Sequence, residues 1–243
     1  MAISATGGNA TNSASTSSLN LAAFTLTASQ CVVVWIVLGS TSVSVSTVTD
    51  TKGNAYTLAA AINGTGIRCE VWKCLSVGAQ SNNVIAIALS GTTSISAGQE
   101  EYAGVTAIGN TSTLAGSDAN PFSYVLTQQA ASFAFMAIGF ATGSASDSLT
   151  IQTGMGTLRQ SSIPAAASVV GSGSYDNTHA VEVGKIPVWA KLNAAYNWVA
   201  VGVELEGGGA SNVYKALDDM PVALDSSGLL FVPSPTPSDI SVW

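Results

Sequence analysis

Between Cys31 and Cys74 the chain spells out four consecutive β-strands with their turns, and no other stretch constrains the fold as strongly. Residues 31–38, CVVVWIVL, form a continuous apolar run rich in β-branched side chains. Gly39-Ser40 breaks that run, and residues 42–49 then alternate Val with Ser or Thr, the period of a half-buried strand. Asp50-Thr51-Lys52-Gly53-Asn54 reads as a hairpin loop, residues 55–62 as the next strand, and Asn63-Gly64-Thr65-Gly66 as a turn into residues 67–74. Period-two patterning, residue type and turn chemistry all agree on β structure. None of these side chains is reactive, so the stretch speaks to fold and not to chemistry.

Similar signals recur along the chain. Further strands are predicted at 83–89, 93–96, 101–107, 132–141, 148–153, 167–171, 174–183, 187–192 and 195–206. Many short strands with Gly-rich turns predict an all-β antiparallel β-sandwich, with jelly-roll or Ig-like connections. A single domain over 19–206 is favoured over two, because Gly109–Pro121 is the only long polar gap and lacks a linker's composition. Residues 1–18 are small, polar and aperiodic, and are predicted to be a flexible or docking N-terminal arm. Gly207-Gly208-Gly209 marks the start of a C-terminal arm, 207–243, which holds four prolines and four acids against the single Lys215. Its apolar clusters, including Phe231 and Trp243, suit an extended arm docking on a neighbouring subunit or folding back on its own sandwich.

Composition narrows the partners. Charged residues make up 9% of the chain, against roughly 25% in an ordinary globular protein, so Ser, Thr, Gly, Ala and Asn dress the surface. The seven basic residues are scattered singly and the net charge is −7, which argues against a nucleic-acid partner and an anionic membrane surface. The first 18 residues carry neither a positive n-region nor an apolar h-region, so no signal peptide is predicted. The longest apolar runs fall well short of the roughly 20 residues of a spanning helix.

Candidate reactive groups are few. Three cysteines leave at least one unpaired; Cys69 and Cys74 should point to opposite faces of one strand. Cys31 bonding to one of them is the alternative to three buried thiols, and no CxxC spacing supports zinc. His179, the only histidine, has Asp176 and Glu182 nearby in sequence but no nucleophile signature to serve. Asp50, Gly53 and Asn54 resemble a fragment of a calcium loop, yet the same residues are what a tight hairpin requires. Glu100 and Glu101 should face opposite sides of a strand, Glu100 toward solvent and Glu101 accepting hydrogen bonds near Tyr102, an arrangement unsuited to paired-carboxylate catalysis. No catalytic residue, metal ligand or cofactor is therefore assigned. Of the tryptophans, Trp35, Trp72 and Trp198 read as core, leaving Trp189 and Trp243, with Phe231, as candidate contact residues.

Residues 48–57, V-T-D-T-K-G-N-A-Y-T, with the apolar strand before them, Val71-Trp72, the turn Val77-Gly78-Ala79 and E-Y-A-G-V at 101–105, resemble a β-sandwich module of tailed-phage virion proteins, also seen in bacterial surface proteins. The likeness covers roughly residues 30–107, and the acidic, proline-rich tail departs from it. It implies a non-enzymatic structural or binding role. Together with the uncharged all-β body, the lack of a signal peptide and the two arms, it leads to the expectation of a structural protein of the virion, of head-decoration, vertex or fibre type. The implied partners are capsid, portal-vertex or tail components and further copies of the chain as a homo-oligomer, a trimer being one such arrangement. A carbohydrate-binding module or adhesin, stacking a host glycan on exposed aromatics, is the alternative.

Overall fold

The computed structural model describes residues 3–127, 132–142, 146–151, 156–164, 170–177, 184–208, 223–224 and 230–231. Every regular element among them is a strand. The first half of the body holds β1 (Ser4–Asn20), β2 (Phe24–Leu26), β3 (Cys31–Leu38), β4 (Val45–Asp50), β5 (Thr57–Asn63), β6 (Arg68–Cys74), β7 (Gln80–Asn83) and β8 (Ile85–Ala103). The second half holds β9 (Val105–Gly116), β10 (Phe122–Thr127), β11 (Phe133–Ala141), β12 (Leu149–Ile151), β13 (Thr157–Ser162), β14 (Val170–Asp176), β15 (Gly184–Leu192) and β16 (Trp198–Gly207).

The two halves repeat one topology. In the first, the inner sheet runs β1-β8-β3-β6-β5; in the second it runs β9-β16-β11-β14-β13, the same order eight strands later. Each half adds an outer layer, built from β2, β7, the start of β8 and β4 in one and from β10-β15-β12 in the other. First strand beside last, last beside third and third beside sixth is the jelly-roll connection, here present twice in tandem. The first half departs from the second in one respect: β1 and β8 are long and bulged, and both bend from the inner sheet into the outer one.

The inner sheets pack face to face. Across the join β1 meets β13, β5 meets β9, β8 meets β14, β6 meets β16 and β3 meets β11. Each pairing is matched by its reciprocal, as a two-fold axis requires, so the join is an isologous interface inside one chain. Three stacked cores result. The central one contains Val33, Trp35, Val37, Cys69 and Val71 from the first half against Phe135, Ala137, Val201 and Val203 from the second. The outer cores lie beneath the outer layers, around Val34, Ile36 and Ile87 in one half and Met136, Ile138 and Val188 in the other. This explains the unbroken apolar runs: β3, β14 and nearly all of β11 are buried on both faces because a core lies on each side.

Close approach at the join is set by a glycine. Gly139 lies against Val37, and any Cβ at that position would overlap the valine side chain. Small residues at the crossing let the two sheets come into contact.

Two expectations are corrected. Residues 4–20 are not a flexible arm but strand β1, paired along its length with β8; the Ser/Thr/Asn alternation hides a strand whose residues are all at least partly exposed. The polar stretch 109–121 is not a gap but largely the end of β9, an equally polar edge strand. The strands expected at 83–89, 93–96 and 101–107 are in fact the end of β7, the continuous β8 and the start of β9. Compactness divides the chain into Met1–Gly209 and Ala210–Trp243. Within the second unit, Ala223–Leu224 (β17) pairs antiparallel with Leu230–Phe231 (β18).

Candidate functional site

The outer sheet of the second half carries an aromatic face. Along β10, Ser123, Val125 and Thr127 point inward and are buried, so Phe122, Tyr124 and Leu126 point outward. Opposite them on β15, Trp189 pairs with Phe122 and Pro187 with Tyr124. The rings of Phe122 and Trp189 stack at 4.9 Å with an interplanar angle of 18°. Tyr124 is 40% exposed and Leu126 44% exposed, while Trp189 is half-buried. Thr150 and Lys191, a facing pair on β12 and β15, border the patch with polar groups. Such a surface can stack on the apolar face of a sugar ring or take up a complementary protein surface.

The structure places Trp189, a candidate contact residue from the sequence, half-buried against Phe122; Phe122, Tyr124 and Leu126 were not singled out, because no strand was expected at 122–127. Their signal was the alternation F-S-Y-V-L-T just after Pro121. Phe231 lies on β18 opposite Ala223. Trp243 and His179 lie outside the described residues. Trp35 and Trp198 are buried as expected, and Trp72 is half-buried, its Nε1 donating to Glu70 Oε2 at 2.9 Å.

A second cluster is polar and lies inside the join. Glu100 is 2% exposed, a correction to its expected solvent position. The two-layer sandwich expectation left the far side of β8 open to water, whereas a second sandwich covers it. Around Glu100 stand Asp176 and Ser174 of β14, Arg159 and Gln160 of β13, and Tyr102 of β8. Arg159 Nε bonds Asp176 Oδ2 at 2.7 Å, and Tyr102 Oη donates to the same oxygen at 3.0 Å. Glu100 Oε1 and Asp176 Oδ1 are buried without a partner. Burial pushes the Glu100 carboxyl up to about 8; Asp176 adds to the rise, and Arg159, Ser174 and Gln160 oppose it. A protonated Glu100 supplies a donor to a pocket otherwise rich in acceptors. Glu101 faces the other way, accepting from Thr27 N at 2.7 Å and Thr6 Oγ1 at 3.3 Å.

The hairpin after β4 is organised by its own carboxylate. Asp50 accepts from Asn54 N at 2.9 Å, Asn54 Nδ2 at 2.8 Å, Tyr56 Oη at 3.0 Å and Asn83 Nδ2 at 3.3 Å, and Gly53 adopts φ 82°. These bonds assign Asp50 to turn structure. The three thiols are free and buried, Cys31 and Cys69 in the central core and Cys74 in the first outer one. Burial pushes the Cys31 thiol up to about 12 and raises Cys69 and Cys74 as well, so none is a ready nucleophile. Among the described residues no group of three or more His, Cys, Asp or Glu side chains is arranged to hold a metal ion. Compared with protein-family models, curated proteins and solved structures, the chain matches none.

Proposed function

We propose that this chain is a non-enzymatic structural subunit of a tailed-phage virion, a head-decoration, vertex or fibre protein that acts by assembly. The observation that carries the reading is the tandem jelly-roll body, two sandwiches fused through one apolar core under a nearly uncharged Ser/Thr surface. Jelly rolls recur in viral shells and in lectins, where a rigid body presents a face; the fold alone does not choose between these uses. The sequence likeness around residues 48–57 and 101–105 tilts the choice toward the virion.

The test is mass spectrometry and antibody labelling of particles purified from producing cells. The reading expects the chain at a fixed stoichiometry on those particles. Its absence from them, with the protein free in the soluble fraction, overturns it.

A second reading, a glycan-binding module, is favoured by the stacked Phe122–Trp189 pair with Tyr124 beside it. Binding on a glycan array that is lost in Trp189→Ala supports it. An array without signal removes it.

A further inference from the structure

Among the described residues the first strand has one neighbour. β1 forms one edge of the inner sheet, paired to β8 and, on its other side, to no strand of the described residues. It is 17 residues long, and none of them is fully buried. The other edges of the inner sheets are shorter or protected. β5 and β13 span only 7 and 6 residues, and β13 carries Arg159. β9 is covered by its own half, with Asn110 Nδ2 donating to Leu126 O at 2.9 Å and Ser112 Oγ bonded to Tyr124 O on β10. β1 makes one bond of this kind, Asn9 Nδ2 donating to Ala22 O at 3.0 Å, and β2 beside it spans only Phe24–Leu26.

Natural sheets blunt a free edge with charge, proline or shortness. β1 has none of these: no charged residue and no proline occurs before Asp50. An uncharged edge of Ser, Thr, Asn and Gly also meets a second copy of itself without like-charge repulsion.

We infer that β1 is an assembly edge, pairing antiparallel with β1 of a second copy across a two-fold axis over the straight segment from Gly7 to Ser13. The two inner sheets then join into one continuous sheet, and the main-chain groups left open on β1 find partners. The inference shares with the proposed function only the need for self-association. Particle incorporation can fail while the dimer stands, and the reverse, so the two tests are separable.

Sedimentation velocity of the full chain over a hundredfold concentration range is the experiment. The expected result is a concentration-dependent dimer whose Kd rises at least tenfold in the variant Thr11→Lys with Ser13→Lys. Thr47→Lys with Thr49→Lys on β4 leaves the dimer unchanged. A chain that stays monomeric throughout, or a dimer indifferent to the β1 lysines, overturns the inference, as does equal loss in the β4 variant. If the β1 variant fails to fold by circular dichroism, hydrogen exchange of wild-type amides 7–13 decides. Protection that grows with protein concentration supports the edge pairing, and protection independent of concentration overturns it.

Discussion

The two halves share a strand order and differ in almost everything laid upon it. On the outer sheet of the first half, the cross-strand rows facing water are Asn20–Ala86–Thr49 and Ser18–Ala88–Thr47. On the equivalent sheet of the second half they are Phe122–Trp189 and Tyr124–Pro187. One topology therefore tolerates either dressing, and the aromatic face is not a requirement of the fold. That contrast is the physical ground for the proposal that the second half, rather than the first, presents a contact face. The edges differ in the opposite sense: Asn110 and Ser112 tie β9 to β10, whereas β1 makes a single such bond, from Asn9 to Ala22 O.

The sharpest way to break the comparison is at the part the halves share. Trp35 packs against Phe135 at 6.4 Å, and its Nε1 donates to Ser172 Oγ at 3.3 Å, so a first-half side chain anchors second-half strands. Trp35→Ala is expected to lower unfolding free energy by about 3–5 kcal/mol in urea titrations. The same variant should reduce hydrogen-exchange protection in β14 as much as in β3. Loss confined to the first half would mean the halves are independent.

The next largest effect is electrostatic. Glu100 keeps its proton to about 8 when folded and loses it near 4.5 when unfolded. The folded state therefore binds more protons between those values, and stability falls as pH rises through that window, by about 1.4 kcal/mol per pH unit at most. Below the window the contribution is fully present, and above it the loss is complete. Glu100→Gln should flatten this part of the stability–pH curve and raise stability at pH 8. An unchanged slope in that variant would place the pH dependence elsewhere.

The smallest effect on stability should come from the aromatic face. Trp189→Ala removes one stacked ring from a half-exposed position, at a cost of about 1 kcal/mol. Its effect on contact, to a glycan or to particles, should far exceed that on thermal midpoint. Equal effects on both would make the pair a structural prop.

Much of the fold could be read directly. β3, β4, β5 and β6 lie within a residue or three of the strands expected between Cys31 and Cys74, because buried Val-rich runs and Gly/Asn turns leave little choice. The duplication could not be read. Inward-facing Cys31, Val33, Trp35 and Val37 correspond in register to Phe133, Phe135, Ala137 and Gly139, which conserve burial and neither size nor identity. A join that needs only complementary volume leaves no repeat for the sequence to display. β1 and β9 were missed for a related reason, since edge strands with little buried surface lack the apolar alternation that marks a strand. Glu100 was misplaced because its burial comes from the other half, which lies far along the chain.

The central claim is that one core unites two jelly rolls, and calorimetry of the full chain tests it most directly. The account predicts a single transition for the body, with calorimetric and van't Hoff enthalpies equal, shifted as a whole by Trp35→Ala. Two separable transitions, each with the enthalpy of half the body and only one moved by Trp35→Ala, would contradict it.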